Sequence, residues 1–195
     1  PELAARFQQR HPHLQLRAVV SNGAQLSQHL LENTIDLALI EGSILLPQLV
    51  SEPFSGDHLQ LILPPGHPLS ERKSLRLEEL AEEPFLLRER GSAGREFLDH
   101  VFAAHQLPLT PLWESASTQA IIKAVGAGLG VSFLPEKLVS QAIAEGSVRT
   151  VPIENEPFCR THHIVYHRHK FLTQSAREFI ALCHEMEASA DVMEP

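Results

Sequence analysis

The sequence predicts an α/β protein organised as two units, and three observations predict it. Segments with helical apolar spacing alternate with extended apolar runs along the whole chain. The run Ile35-Asp36-Leu37-Ala38-Leu39-Ile40 has strand length and is almost continuously aliphatic, which implies burial on both faces, the habit of a parallel sheet covered by helices. Pro64-Pro65-Gly66-His67-Pro68 then stops regular structure, because proline removes a ladder donor and glycine relaxes the backbone. The alternation restarts beyond it, which places a hinge there.

Taken in order, the chain opens with an amphipathic helix carrying Leu3, Ala4 and Phe7 on one face, an extended stretch from Leu14 to Val20, and a helix around Leu26 to Glu32. The Ile35–Ile40 strand and a strand at Leu59–Leu63 complete the first part. After the hinge, Leu75 to Ala81 reads as a short helix, Pro84 to Arg88 as a strand, and Gly94 to His105 as a helix burying Phe97, Leu98, Val101 and Phe102. A strand around Leu112 to Glu114 leads into a helix at Ser117 to Ala127 with Ile121, Ile122, Val125 and Leu129 as its apolar face. Gly128 and Gly130 end that helix as a left-handed cap would. Val131 to Leu134 is a strand, Pro135 opens a helix in its first turn and Gly146 closes it. Val148 to Ile153 and Thr161 to His167 are strands. The last helix sets Leu172, Ala176, Phe179, Ile180 and Cys183 on one stripe, and Ala188 to Pro195 is a polar, frayed tail. Two such units imply two lobes with a cleft, since ligands in open α/β sheets sit beyond the carboxyl ends of the strands.

Bulk properties narrow the function. The chain has 195 residues, 43% of them apolar, enough to bury a core without disulfide or metal staples. No run of apolar residues reaches membrane-spanning length, and Pro1 to Arg6 lacks the charged-then-apolar layout of a secretory signal, so no membrane partner is expected. Only Cys159 and Cys183 occur, which fits a reducing cytoplasm, although a periplasmic protein with its signal removed would look the same. With 16 Lys and Arg against 24 Asp and Glu, the net charge of −8 opposes phosphate backbones and argues against DNA binding by this chain alone. The 12 histidines make the electrostatics pH-sensitive, and surface imidazoles are their ordinary explanation.

Motifs point to binding rather than catalysis. There is no nucleophile elbow, no His-Glu-x-x-His and no P-loop, and no cofactor is implied. Gly126-Ala127-Gly128-Leu129-Gly130 follows a helix and precedes a strand, the reverse of a dinucleotide loop, so it is a structural turn. His163, His167 and His169 would share a strand face, but no Cys or carboxylate stands at ligand spacing and no metal is expected. Glu41-Gly42-Ser43 ends the Ile35–Ile40 strand, where cleft residues belong, though a strand-ending Gly-Ser turn is ordinary. Gly91-Ser92-Ala93-Gly94-Arg95 joins a strand to a helix, so small residues expose backbone N–H donors at the positive end of the helix dipole, a cradle for an anion. Ser92 could equally cap its helix, and capping and binding are compatible. Glu114-Ser115-Ala116-Ser117-Thr118-Gln119 makes a second such junction dense in hydroxyls. Ser92, Ser115, Ser117, Thr118 and Gln119, with Glu41 and Gly42, are therefore the candidate ligand contacts. Arg95 lies one turn inside its helix and is expected to brace the loop or pair with an acidic neighbour.

The order and spacing of several segments resemble the LysR-type transcription regulators. The resemblance is carried by Leu3-Ala4-Ala5-Arg6-Phe7 with His11-Pro12, by Ile35–Ile40, by Asp57 through Pro64 with His67-Pro68-Leu69, by Arg88 through Arg95, and above all by Val125-Gly126-Ala127-Gly128-Leu129-Gly130-Val131 with Leu134-Pro135. It implies a type-2 periplasmic-binding-protein-like effector domain: two Rossmann-like lobes joined by a two-strand hinge. The first lobe would be residues 1–65 and 160–195, the second 66–159, with both strand-to-helix junctions facing the cleft. It implies a cytoplasmic, non-enzymatic sensor that binds a small anionic effector and pairs as a homodimer within a tetramer. DNA would be contacted only through an N-terminal winged helix-turn-helix that this sequence does not contain. Family members also begin this domain with a strand and a Ser/Thr-bearing turn that binds ligand, whereas this chain starts in the following helix. A free solute-binding protein of a transport system, with the same fold, is the alternative.

Overall fold

The computed structural model describes residues 1–42 and 44–191. Ser43 of the predicted Glu41–Ser43 turn, and the last four residues of the predicted tail, lie outside the described residues. In chain order the elements are α1 (Glu2–Arg10), α2 (Gly23–Leu31), β1 (Ala38–Glu41), β2 (Leu49–Leu63), 3-10 turns at Pro68–Glu71 and Leu77–Leu80, β3 (Phe85–Arg88), α3 (Ala93–Ala104), β4 (Pro111–Ser115), α4 (Thr118–Gly126), β5 (Ser132–Pro135), α5 (Glu136–Ala144), β6 (Arg149–Thr150), β7 (Cys159–His167) and α6 (Gln174–Asp191). The chain divides into two compact units, Pro1–Gly56 with Thr161–Pro195, and Asp57–Arg160. It passes from one to the other inside β2 and again inside β7, so the Pro64–His67 turn, where the sequence places a hinge, lies within the second unit.

In the first unit, Asn22 caps α2 by accepting the Gln25 N–H at 3.0 Å, and Leu30 of that helix packs with Ala38, Ile40, Leu49 and Val165. β1 pairs antiparallel with β7, Ala38 opposite Val165. Burial along β1 alternates, and Leu39 is 38% exposed. The expectation of a strand buried on both faces in a parallel sheet therefore fails here. Aliphatic continuity misled because one face alone carries this core. Leu14 to Val20 forms no strand either. Its pattern suits a strand, but it has no partner ladder among the described residues, and Val20 is fully exposed. Phe7 anchors α1 edge-on against Phe179 of α6, ring centroids 5.1 Å apart.

The second unit holds two apolar clusters. One gathers Leu61, Leu63, Leu75, Phe85, Leu98, Phe102 and Phe133, and the other Ile62, Leu86, Ile121, Val125, Leu134 and Val139. β2 supplies alternate residues to the two, as a strand with period 2 must. β5 and β6 both pair antiparallel with β2, while β3 and β4 run parallel with Arg88 opposite Ser115. α4 closes in a Schellman turn: Gly128, at φ +83°, donates its N–H to Val125 O, and the Leu129 N–H reaches Ala124 O at 3.1 Å. Leu129, predicted on the buried face of α4, lies past this cap and is half exposed. Gly130 is needed for close approach, since a Cβ there would stand 2.1 Å from the Pro84 carbonyl oxygen. Pro135 ends β5 and sits just before the first residue of α5 rather than in its first turn.

Candidate functional site: two strand-to-helix junctions in the second unit

Because β3 and β4 are parallel neighbours, their carboxyl ends lie at one edge of the pair, and the helix that follows each starts there. At the first junction the chain leaves β3 at Arg88 and turns through Glu89 to Ser92, with the Ser92 N–H donating to Glu89 O at 3.2 Å and Gly91 at φ +85°. Glycine serves there because the third position of a type II turn requires positive φ. Ser92 is the N-cap of α3, yet its side chain makes no capping bond, nor any other hydrogen bond among the described residues, although only 5% of the residue is exposed. A serine hydroxyl at a helix start that bonds no neighbour is free to donate to an acceptor placed there.

A cation lies against Gly94 at the same helix start. A Cβ at that position would lie 3.4 Å from Arg160 Nη1 and 3.9 Å from Ser92 Oγ. The Arg160 side chain is 1% exposed and forks onto Asp57, donating from Nε to Oδ1 at 2.9 Å and from Nη2 to Oδ2. The positive end of α3 and a buried guanidinium thus converge beside the uncommitted Ser92 hydroxyl.

The second junction is more fully bonded. Ser115 Oγ accepts the Ser117 N–H at 3.1 Å, and Ser117 Oγ caps α4 by accepting the Ala120 N–H at 3.2 Å. Thr118 opens α4, and its Oγ1 accepts a hydrogen bond from Arg88 Nη1 at 3.3 Å, leaving its O–H proton to donate elsewhere. Gln119 is exposed. Arg88 also forks onto Glu89, Nε to Oε2 at 2.9 Å and Nη2 to Oε1 at 3.3 Å.

Arg95 holds the two junctions together. At 4% exposure it donates to Asp99 Oδ1 at 2.9 Å within α3, to Glu114 Oε1 at 2.7 Å on β4, and to the Arg88 carbonyl at 3.2 Å at the end of β3. Burial works against its charge, but Glu114 and Asp99 outweigh burial and hold the guanidinium pKa above its ordinary value. It braces the loop, as its place in α3 leads one to expect.

The predicted residues therefore fall into two groups. Ser92, Ser115, Ser117, Thr118 and Gln119 sit at the two junctions of one parallel strand pair. Glu41 and Gly42 belong to the first unit: Gly42, at φ +80°, donates its N–H to Thr161 O at 2.8 Å and accepts from His163 Nδ1 at 2.8 Å, so both of its backbone groups are committed. Sequence reasoning missed Arg88 and Arg160. Arg88 carried a signal, a cation at the carboxyl end of a strand. Arg160 carried none, because its partner Asp57 stands 103 residues away. The three histidines do not share a strand face, since β7 ends at His167. The Lys170 N–H turns back to His167 O at 2.8 Å, and His167 Nδ1 accepts the His169 N–H at 3.2 Å.

Comparison with known proteins defines the class. A model of the family described as LysR substrate binding domain matches residues 1–188, and the chain belongs to that family. Among its relatives, the Escherichia coli K12 protein named uncharacterized HTH-type transcriptional regulator YeiE is 32% identical over 183 residues, an alignment covering 94% of this chain and 62% of the relative. The chain thus spans less than two thirds of that relative's length. The regulatory domain of Synechocystis PCC6803 CcmR, solved in complex with 2-PG, superposes with a TM-score of 0.87 at 24% identity, covering 96% of this chain and 90% of that one. The effector binding domain of QuiR, in complex with shikimate, gives 0.85 at 17% identity, with 97% and 90% covered. The α/β fold expected from the resemblance, that of periplasmic-binding-protein-like effector domains, is the fold observed. Among the described residues no helix is long and apolar enough to cross a membrane.

Proposed function

We propose that this chain is the effector-sensing part of a LysR-type transcription regulator, and that it binds a small anion at the two junctions of its second unit. The observation that carries the site is Ser92: an N-cap residue only 5% exposed whose hydroxyl makes no capping bond, at the positive end of α3 and beside the Arg160 guanidinium. Ser92, Thr118 and Gln119 contact the ligand, while Ser115 and Ser117 shape the second junction. Relatives named as transcriptional regulators support this role over that of a free solute-binding protein. Solved relatives carrying shikimate and 2-PG support a small organic anion as the ligand. The protein works in the cytoplasm, without catalysis and as a homodimer, and reaches DNA through a domain outside this chain. Ligand binding shifts a conformational equilibrium by its differential affinity for the two states.

The test is calorimetry against a panel of small organic acids and inorganic oxyanions. For the first compound that binds, Ser92→Ala and Thr118→Ala should each weaken affinity by roughly 1–3 kcal/mol, the range for a hydrogen bond to a charged partner. Unchanged affinity in both folded variants places the ligand elsewhere.

A further inference from the structure

The cation that touches the start of α4 is already occupied by a neighbour. Arg88 presents its Nε and Nη2 edge to the two carboxylate oxygens of Glu89, while its third nitrogen, Nη1, rests on Thr118 Oγ1. Glu89 is the next residue in the chain, and both side chains are about a quarter exposed, at 28% and 27%. Such a pair joins chain neighbours and ties no distant parts of the fold together, and a pair that solvent still reaches adds little stability. Its placement is nevertheless specific. The two helices that begin at this edge bring their positive ends to it, and the Glu89 carboxylate supplies negative charge there from within the chain. Its own backbone is held independently, because Glu89 O accepts the Ser92 N–H at 3.2 Å. The side chain can therefore leave Arg88 without undoing the turn.

We infer that the Glu89 carboxylate is an internal stand-in for the ligand: the effector's oxyanion displaces it and takes the same two-oxygen seat on Arg88. This rests on the anion-binding reading of the junctions and extends it to a ligand class. The effector carries a carboxylate or another oxyanion that offers two adjacent oxygens to one guanidinium edge, the geometry in which arginine outperforms lysine. Arg88 becomes a direct ligand contact, and Glu89 sets the threshold concentration at which the site fills.

Sodium sulfate is a suitable probe, titrated at constant ionic strength against sodium chloride and read from the amide resonances of Ser92, Thr118 and Gln119 in wild type, Glu89→Gln, Arg88→Gln and Arg88→Lys. Glu89→Gln should bind sulfate roughly fivefold tighter than wild type, the gain from removing one competing, partly exposed ion pair. Arg88→Gln should lose about tenfold or more, and Arg88→Lys should recover only part of that loss because it keeps the charge without the fork. If sulfate moves these resonances but Glu89→Gln binds it no tighter, Glu89 merely positions Arg88 and the stand-in role is overturned. If sulfate moves them in no variant, the junctions are not an anion site, and the reading beneath the inference falls with it.

Discussion

Replacing Gly130 by alanine should be the most damaging single-methyl change in the second unit. The added Cβ would lie 2.1 Å from the Pro84 carbonyl oxygen and 3.1 Å from its carbon, both backbone atoms that no rotamer change can move aside. Relief requires the Gly130–Val131 segment to back away from Pro84. Val131 N donates to Pro84 O at 2.9 Å and Leu86 N to Val131 O at 2.9 Å, and both Val131 and Leu86 are fully buried. Weakening these two buried bonds costs about 1–3 kcal/mol for each group left unmade. Overpacking alone costs about 1–3 kcal/mol. Together these terms span about 3–9 kcal/mol, a large part of the roughly 5–15 kcal/mol that holds a typical domain together. Gly128→Ala, two residues earlier, is the control: its φ is +83° but no atom lies within 4 Å of the new Cβ, so only the left-handed backbone cost of about 1 kcal/mol applies. Urea unfolding followed by the fluorescence of Trp113, the single tryptophan, reports on this unit because it lies on β4. A loss in Gly130→Ala no larger than in Gly128→Ala would refute the close-approach argument.

Ser92→Ala should leave thermal stability unchanged or slightly improved, because the hydroxyl it removes caps nothing, whereas Ser117→Ala should cost about 1 kcal/mol with its cap to Ala120; equal losses in the two melting curves would contradict this. Tyr166, the single tyrosine, donates to Glu52, and that bond, then burial and the Glu52 charge, push its phenol up to about 12. The folded state thus holds this proton more tightly than the unfolded state, a contribution complete below the ordinary value of 10.0 and lost as pH rises through about 12. Tyrosinate absorbance should show that midpoint in wild type and a lower one in Glu52→Gln, and an unmoved midpoint would sink the assignment. Of the two thiols, exposed Cys159 should react with a disulfide reagent first, while burial pushes Cys183 up to about 11 and keeps it slow until the protein unfolds. Two thiols reacting at one rate in the native protein would argue against that difference.

Where local chemistry decides structure, the sequence was readable. The helices at α3, α4 and α5, the Gly128 cap and the strand-to-helix junctions followed from periodicity and turn residues, and Ser92 and Thr118 were reachable because a helix start is a local feature. Pairing was not. Ile35–Ile40 suggested a parallel neighbour, yet which strand lies beside β1 depends on β7, far along the chain. Leu14–Val20 has the pattern of a strand, but pattern cannot supply a hydrogen-bonding partner. Arg88 and Glu89 were visible as residues and opaque as a pair, since a side chain's choice of neighbour depends on rotamers that a sequence does not state. Arg160 lay further out of reach, because its partner Asp57 stands 103 residues away in sequence.

The parallel pairing of β3 with β4 has a consequence for how such a sensor can change its chemistry. Most of the groups assigned to the anion, and the arginine that braces them, come from one uninterrupted stretch between Phe85 and Gly126, a strand, a helix, a strand and a helix in succession. A stretch of that kind concentrates the ligand chemistry in about 40 consecutive residues. Its polar edge can change residue by residue, but its apolar faces cannot drift freely, because Phe85, Leu98 and Phe102 pack with Leu61 and Phe133, and Leu86, Ile121 and Val125 with Ile62 and Leu134.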